Sequence, residues 1–498
     1  AYNGGTETAI LAQNATAFTN AITSISDNIT AKVSSGAAVA VANAHVTSTD
    51  NASYASSYNS GTWTGDLNSN AINATTGAPT TTMLWASGSA ATQLDLRTPA
   101  SRFIVTSVDT AGSVGGVQFQ PTSAASATKL SAAQQSLLNT PGFTDGAAVL
   151  AYLRGDRTSE STTYRARAHL LGDIINGEPV LVREPMAGYT ETGYSAFVSS
   201  NASRTRMLYQ GANDGMLHAF IASTGAEAWA YIPNSVISNL NNLSRKPGFS
   251  HKYYVDGTPV AGDIDFNNVG GATGSGDWRT ILVGGLGKGG RSYYGLDVTN
   301  PVPTSESDAA SKVLWEFPNS ITNATNRASA ALNMGYSYAK PIIVKTKAMG
   351  WVVLVTSGYN NGTNTGDSGG DGVGHLYVIN PKTGDLISDI STPSCNATPT
   401  SNPCGLAQIV ASIDATNAVD YVYGGDLYGN VWRFDFTGAT SGAWSVSSFA
   451  TLKDSANATQ PITTAPRLTF DSGVRMVMIG TGIYLGNSDV PGVGGANA

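Results

Sequence analysis

Few stretches of this 498-residue chain carry side chains whose type and spacing suit chemistry. In Asp263-Ile-Asp-Phe-Asn267 the oxygen-bearing side chains Asp263, Asp265 and Asn267 alternate, which is how a tight loop gathers ligands for a hard cation such as calcium. Asp367-Ser-Gly-Gly-Asp371 is a second acidic turn with the same potential. Both also read as solvated turns whose side chains bond their own backbone. Cys395 and Cys404 are the only cysteines and bracket a Pro-containing loop. They read as a disulfide made in an oxidising compartment, with two unpaired surface thiols as the other reading. Zinc is not expected, because no second pair and no spaced histidines accompany them.

Catalysis finds no positive case. The histidines His45, His169, His218, His251 and His375 stand in no nucleophile-elbow or His-Glu-x-x-His context, and His218 and His375 fall on strands, where they read as structural. Asp214, Asp256, Asp297 and Asp426 fall in repeated turns, where bonding to backbone is the commoner role. Arg154-Gly155-Asp156 matches an integrin-type tripeptide, but its glycine sits where a helix is expected to stop. The chain is therefore read as a non-enzyme, with no catalytic residues.

Composition narrows the class further. Charged residues are 12%, about half the usual share, and uncharged polar residues suit an exposed extracellular or envelope surface. A net charge of −7 without a Lys/Arg cluster excludes an electrostatic footprint for nucleic acid. No apolar run approaches the ~20 residues of a membrane span. The chain opens on Ala1-Tyr2 without a leader, so it is expected to be a piece of a longer product.

The elements that hold these residues form a repeat. Gly215-Met-Leu-His-Ala-Phe-Ile-Ala-Ser-Thr-Gly225 returns, varied, as Tyr293-Tyr-Gly-Leu-Asp-Val-Thr-Asn300, Gly374-His-Leu-Tyr-Val-Ile-Asn-Pro-Lys-Thr-Gly384 and Gly429-Asn-Val-Trp-Arg-Phe-Asp-Phe-Thr-Gly438. Units that cannot bury their own faces must stack. Each opens on a strand such as Glu178–Val182, Thr258–Ala261 or Lys340–Val344. An apolar strand follows, at Arg206–Tyr209, Thr280–Val283 and Trp351–Val355. This pattern predicts a mainly β chain: a β-propeller with about four to five recognisable blades, after a small α+β segment. An open stack of parallel coils is the competing fold. Upstream, the spacing predicts a helix over 10–29, a buried strand over 37–42, and a loop-rich stretch with Tyr54, Tyr58, Trp63 and Trp85. Strands at Phe103–Thr106 and Val117–Phe119 follow, then helices at 131–138 and from Thr144-Asp145 to Leu153.

An ordered set of phrases carries a resemblance. Tyr152-Leu-Arg-Gly-Asp156, Tyr164-Arg-Ala-Arg167, Leu171-Gly-Asp-Ile174, Tyr254-Val-Asp-Gly-Thr-Pro259, Trp278-Arg-Thr-Ile-Leu-Val-Gly-Gly-Leu-Gly287, Gly335-Tyr-Ser-Tyr-Ala-Lys-Pro341, Tyr423-Gly-Gly-Asp-Leu-Tyr-Gly-Asn-Val-Trp432 and Gly480-Thr-Gly-Ile-Tyr-Leu485 resemble the PilY family of type IV pilus tip-associated adhesins. The resemblance implies residues 1–105 as the end of a von Willebrand A-like domain, 106–170 as a connecting segment, and 171–498 as a β-propeller lacking its last blade. It implies a pilus tip adhesin and pilus biogenesis factor that acts by protein and surface binding and supports twitching. Minor pilins would be its partners, together with a host or abiotic surface ligand. The expected location is extracellular or at the cell surface, outer-membrane associated, after export through the periplasm.

The family pattern also includes a calcium loop, which the resemblance places on Asp414-Ala-Thr-Asn-Ala-Val-Asp420, with Asp414, Thr416, Asn417 and Asp420 as donors. This stretch is shorter than the pattern and has Ala418 where an oxygen is needed, so an ordinary polar turn is the alternative. The Thr-Gly-x-x-x-Trp phrase resembles the docking motif of quinoprotein propellers. A quinone is nevertheless not expected, because Cys395 and Cys404 are not adjacent; the Trp rings are expected to lock blade to blade. A quinoprotein-like or hydrolytic propeller enzyme and a structural filament subunit remain the alternatives. Loops 267–277, 359–374 and 391–404 are the expected interaction surfaces.

Overall fold

Short runs of β-branched and aromatic residues, each ended by a Gly-, Asn- or Asp-bearing turn, pair with their chain neighbours as antiparallel strands. The computed structural model describes residues 34–41, 51–73, 75–122, 127–139, 146–471 and 474–485; the helix expected over 10–29 lies outside them. Three successive four-stranded sheets comprise Val260–Asp265, Trp278–Gly285, Tyr293–Asp297 and Val313–Phe317; Ile342–Thr346, Gly350–Thr356, His375–Ile379 and Leu386–Ser391; and Ile409–Ile413, Val419–Gly425, Asn430–Asp435 and Ser445–Thr451. A blade of Val180–Val182, Met207–Gly211, Leu217–Ile221 and Glu227–Ile232 precedes them, and a two-stranded start of another, Arg467–Asp471 with Val474–Met478, follows.

These sheets stack as propeller blades, and strand periodicity shows how. All seven residues of Gly350–Thr356 are buried. Trp351, Val353 and Val355 pack with Trp278, Ile281 and Val283 of the preceding blade. Val352 and Leu354, on the other face, pack with Val422, Trp432 and Phe434 of the next. A strand covered on both sides needs apolar residues at every position, hence the unbroken run Trp-Val-Val-Leu-Val.

The segment before residue 171 is built onto the first blade. Ile104–Ser107 adds to the outer edge of that blade, parallel to Glu227–Ile232, with Ala230 opposite Ile104; Gly116–Gln118 pairs antiparallel beyond it. Helices Ala132–Leu137, with a Ser131–Gln134 capping box, and Gly146–Arg154 follow. The stretch expected to be loop-rich is instead part of an antiparallel meander, Ser34–Val41, Ala52–Asn59, Thr64–Ile72 and Pro79–Met83. Its Ser-, Ala- and Asn-rich strands carry little β propensity and are held by neighbours: Leu67 and Trp85 pack on Leu208 and Phe220, the first-blade face that a preceding blade would cover.

Indole rings join the units. Trp85 Nε1 donates to Ala222 O at 2.8 Å, Trp229 Nε1 to Pro301 O at 3.0 Å, and Trp315 Nε1 to Pro381 O at 2.8 Å, each in the turn of the next blade. The glycine of the Thr-Gly turn is required twice over. Gly225 and Gly384 have φ of 77° and 68°, and a Cβ on either would lie 2.5 Å from Trp85 or Trp315.

Buried charges add a second set of ties. Arg102 donates to both carboxylate oxygens of Glu227 at 2.8 Å; Glu227 meets His218 Nδ1 at 2.8 Å, and Asp214 meets His218 Nε2 at 3.0 Å. In the third blade His375 Nδ1 meets Asp389 at 2.8 Å and Nε2 meets Asp371 at 3.1 Å. Burial alone would lower both imidazole pKa values, but the flanking carboxylates outweigh it and push each up to about 9.

Trp85→Ala removes a buried ring and its hydrogen bond. Urea unfolding should show a loss of about 3–5 kcal/mol, and limited proteolysis should release the N-terminal segment before the blades are cut. The histidines generate a pH prediction. The folded imidazoles hold a proton that the unfolded chain sheds near 6.5, so this stability is complete below about 6.5 and is lost as pH rises through about 9. The melting temperature should fall between pH 7 and 10, and His375→Gln should flatten part of that fall.

Candidate interaction surface

Two of the three expected loops form one surface. Residues 359–374 connect the second and third strands of the third blade, and 391–404 lead from that blade to the next. Thr363 N donates to Thr400 O at 2.7 Å, Asn364 Nδ2 to Ser401 O at 2.6 Å, and Cys404 N to Gly372 O at 2.7 Å. Cys395 and Cys404 are joined in a disulfide, and the fully buried Cys404 also accepts from Leu427 N at 2.9 Å. The third loop, 267–277, joins the first and second strands of its blade and so lies at the opposite end of the strands. Asn267 Nδ2 donates to Ser275 O at 3.2 Å across it.

The proposed calcium donors are already engaged. Asp414 Oδ1 accepts from Thr416 N at 2.8 Å, from Thr416 Oγ1 at 2.6 Å and from Ala418 N at 3.2 Å, while Oδ2 pairs with Lys347 at 2.7 Å. Asn417 holds φ 61° in the same turn, and Asp420 turns to Arg475 at 2.8 Å. Asp263 accepts from Tyr194 Oη at 2.7 Å and Thr280 Oγ1 at 2.6 Å. Asp265 accepts from Asn267 N at 3.0 Å, Gly276 N at 2.7 Å and Asp277 N at 3.0 Å. Among the described residues no three His, Cys, Asp or Glu side chains converge as a metal site. As placed, these carboxylate oxygens are held by cations, hydroxyls and backbone amides rather than turned toward a common centre. Asp367 likewise closes its own turn on Asn360 Nδ2 at 3.1 Å and Asn364 N at 3.0 Å.

Other motifs resolve into scaffolding. Arg154 is buried, with Nη1 on Glu306 at 2.6 Å and Nη2 on Arg102 O at 2.7 Å, so the Arg-Gly-Asp tripeptide is not displayed. His169 and His251 pair with Asp95 at 2.6 Å and Asp173 at 2.8 Å, and Trp63 stacks on His251 at 3.7 Å.

On the face that carries 359–374 lies a cavity of about 450 Å³ that the sequence reading passed over. The connection through Lys252 and Tyr253, the turn at Lys288, and Tyr336, Tyr338 and Tyr359 form its walls. Tyr336 and Tyr359 form an antiparallel bridge, which brings the connection before the third blade against that blade's own loop. Tyr336 and Tyr338 stand in the phrase Gly335–Pro341 that carries the family resemblance, but neither that phrase nor the recurrence of tyrosine in blade connections distinguishes a ring in the core from one at a cavity wall.

The shared hydrogen bonds make the two loops one cooperative patch. Cys395→Ser with Cys404→Ser should raise hydrogen exchange at 361–372 as well as at 396–404, with the strands of the third blade unchanged.

Residues 171–495 match the family model described as the PilY1 beta-propeller domain. The chain is 33% identical over 399 residues to "Type IV pilus biogenesis factor PilY1" of Pseudomonas aeruginosa strain PAK, covering 72% of this chain and 31% of that protein. It is 37% identical over 319 residues to a Xylella fastidiosa protein named "Type IV pilus biogenesis factor PilY1 homolog", covering 59% and 20%. A Pseudomonas aeruginosa PilY1 C-terminal domain crystal structure aligns at 28% identity with a TM-score of 0.46, covering 62% of this chain and 60% of that one. The chain spans between 20% and 37% of the length of the curated relatives it matches. Over the blades described above, this chain belongs to the PilY1 family.

Proposed function

We propose that the protein of which this chain is part is a type IV pilus biogenesis factor and tip adhesin. It would act without catalysis, through binding to minor pilins and to an outside surface. Membership of the PilY1 family across residues 171–495 carries this reading. The blades support it, because they are locked into one scaffold by indoles and buried ion pairs and present long loops at their ends. The cross-braced surface of 359–374 and 391–404 is the part suited to a partner, since its shape is held before binding and little ordering entropy is lost. A disulfide-closed loop agrees with an exported, surface-exposed location. Among the described residues no helix is long and apolar enough to cross a membrane.

Immunogold electron microscopy of intact cells, with antibody raised against residues 171–485, tests the reading. Gold confined to pilus tips, with few or no pili in a deletion strain, is the expected result. Gold along the whole filament would favour a structural subunit, and normal pili in the deletion strain would overturn the biogenesis role.

A further inference from the structure

The cavity beside loop 359–374 has a chemistry of its own. Its walls bring the rings of Tyr253, Tyr336, Tyr338 and Tyr359 together with the ammonium groups of Lys252 and Lys288. Tyr338 and Tyr359 meet edge to face with centroids 5.3 Å apart. Lys288 Nζ lies 4.8 Å from the centroid of Tyr253, and the Arg291 guanidinium lies 4.8 Å over Tyr336. Lys312, Lys340, Lys345 and Lys347 each face a carboxylate elsewhere in the structure. Lys252 instead donates to the amide of Asn239 at 3.0 Å, Lys288 has the ring of Tyr253, and among the described residues no acidic side chain lines the cavity. Two carboxylates act on the tyrosines from outside the lining: Asp256, which accepts from Asn176 Nδ2 at 2.6 Å, and Asp173, which holds Asn213 and His251 at 2.8 Å.

Lys252 and Lys288 in the lining, with Arg291 over Tyr336, gather three cations at one concave, ring-walled site, where an anion finds partners on a chain of net charge −7. The volume lies in the range of small-ligand pockets. Tyrosine supplies a flat apolar face with a polar tip, a combination that suits the C–H face and hydroxyls of a sugar ring. Asn239 and Asn360 at the rim add amide donors and acceptors. An extended peptide would instead call for an open strand edge or an aliphatic groove, and these walls are mostly rings, amides and cations.

We propose that this cavity binds an acidic saccharide, with pyranose rings against the tyrosines and the sugar carboxylate at Lys288 and Lys252. The inference deepens the adhesin reading and rests on it for its biological use, but binding by the isolated chain does not depend on pilus assembly.

Calorimetric titration of the purified chain tests it, with trigalacturonate and sialyllactose as separate probes and galactotriose as the neutral control. Saturable binding of at least one acidic probe is expected, weakening as salt rises. The neutral control, and either variant, Lys288→Gln or Tyr336→Ala, should bind at least about tenfold more weakly. Which acidic probe binds distinguishes a uronate from a sialate source. Lys288 is exposed, so its variant should melt like the parent, and lost binding would then report the site. Equal affinity for galactotriose, unchanged affinity in both variants, displacement by a poly-glutamate peptide at equal concentration, or no heat with either acidic probe would overturn the proposal. None of these outcomes bears on tip labelling or pilus number.

Discussion

The structure depends on one recurring contact: an indole at the edge of one unit, seated on a tight turn of the next. Trp229 and Trp315 make it between blades, and Trp85 makes it from the N-terminal segment onto the first blade. Each contact combines a large buried ring with a hydrogen bond to a carbonyl that would otherwise lose its water partner. Because Gly225 and Gly384 leave no space for a Cβ, the turn and the ring are conditional on each other. The N-terminal segment thereby occupies the place of a preceding blade, which protects an apolar face that solvent would otherwise reach.

Buried charges act on the same joints with a different character. The Arg102–Glu227–His218–Asp214 chain and the Arg154–Glu306 pair cross from the N-terminal segment into the first and second blades. Such pairs contribute little net stability over an apolar core, but losing one partner leaves a desolvated charge, which is strongly destabilising. Their effect is to penalise any other arrangement of the units. His375, clamped by carboxylates on both sides, is the third blade's version of the same device.

With the joints fixed, function falls to the blade ends. One end carries the disulfide-closed loop, its partner loop 359–374, and the tyrosine-lined cavity; the other carries 267–277. Two separate faces on one scaffold suit the proposed tip role, one face to hold an assembly and the other to meet a surface. The carboxylates that look like cation ligands are spent on shaping these ends, as Asp265 shows by accepting from three amides of its own loop.

What the sequence by itself determined is the local rhythm: apolar strands, Thr-Gly turns and repeated Trp specify blades, because period-two burial and positive-φ turns are properties of a few adjacent residues. The family was legible for the same reason, since its phrases are these turns and strands. Only the tertiary structure decided that Ala52–Asn59 and Thr64–Ile72 are strands, because their polar residues gain order from long-range packing on the first blade. The state of Asp414, Asp420, Asp263 and Asp265 was also undetermined along the chain. Alternating oxygens look the same whether they face an ion, a lysine or a backbone amide, and partners such as Lys347 and Arg475 come from distant segments. The cavity was hidden likewise: Tyr253, Lys288, Tyr336 and Tyr359 share no motif, and blade stacking alone brings them to one wall.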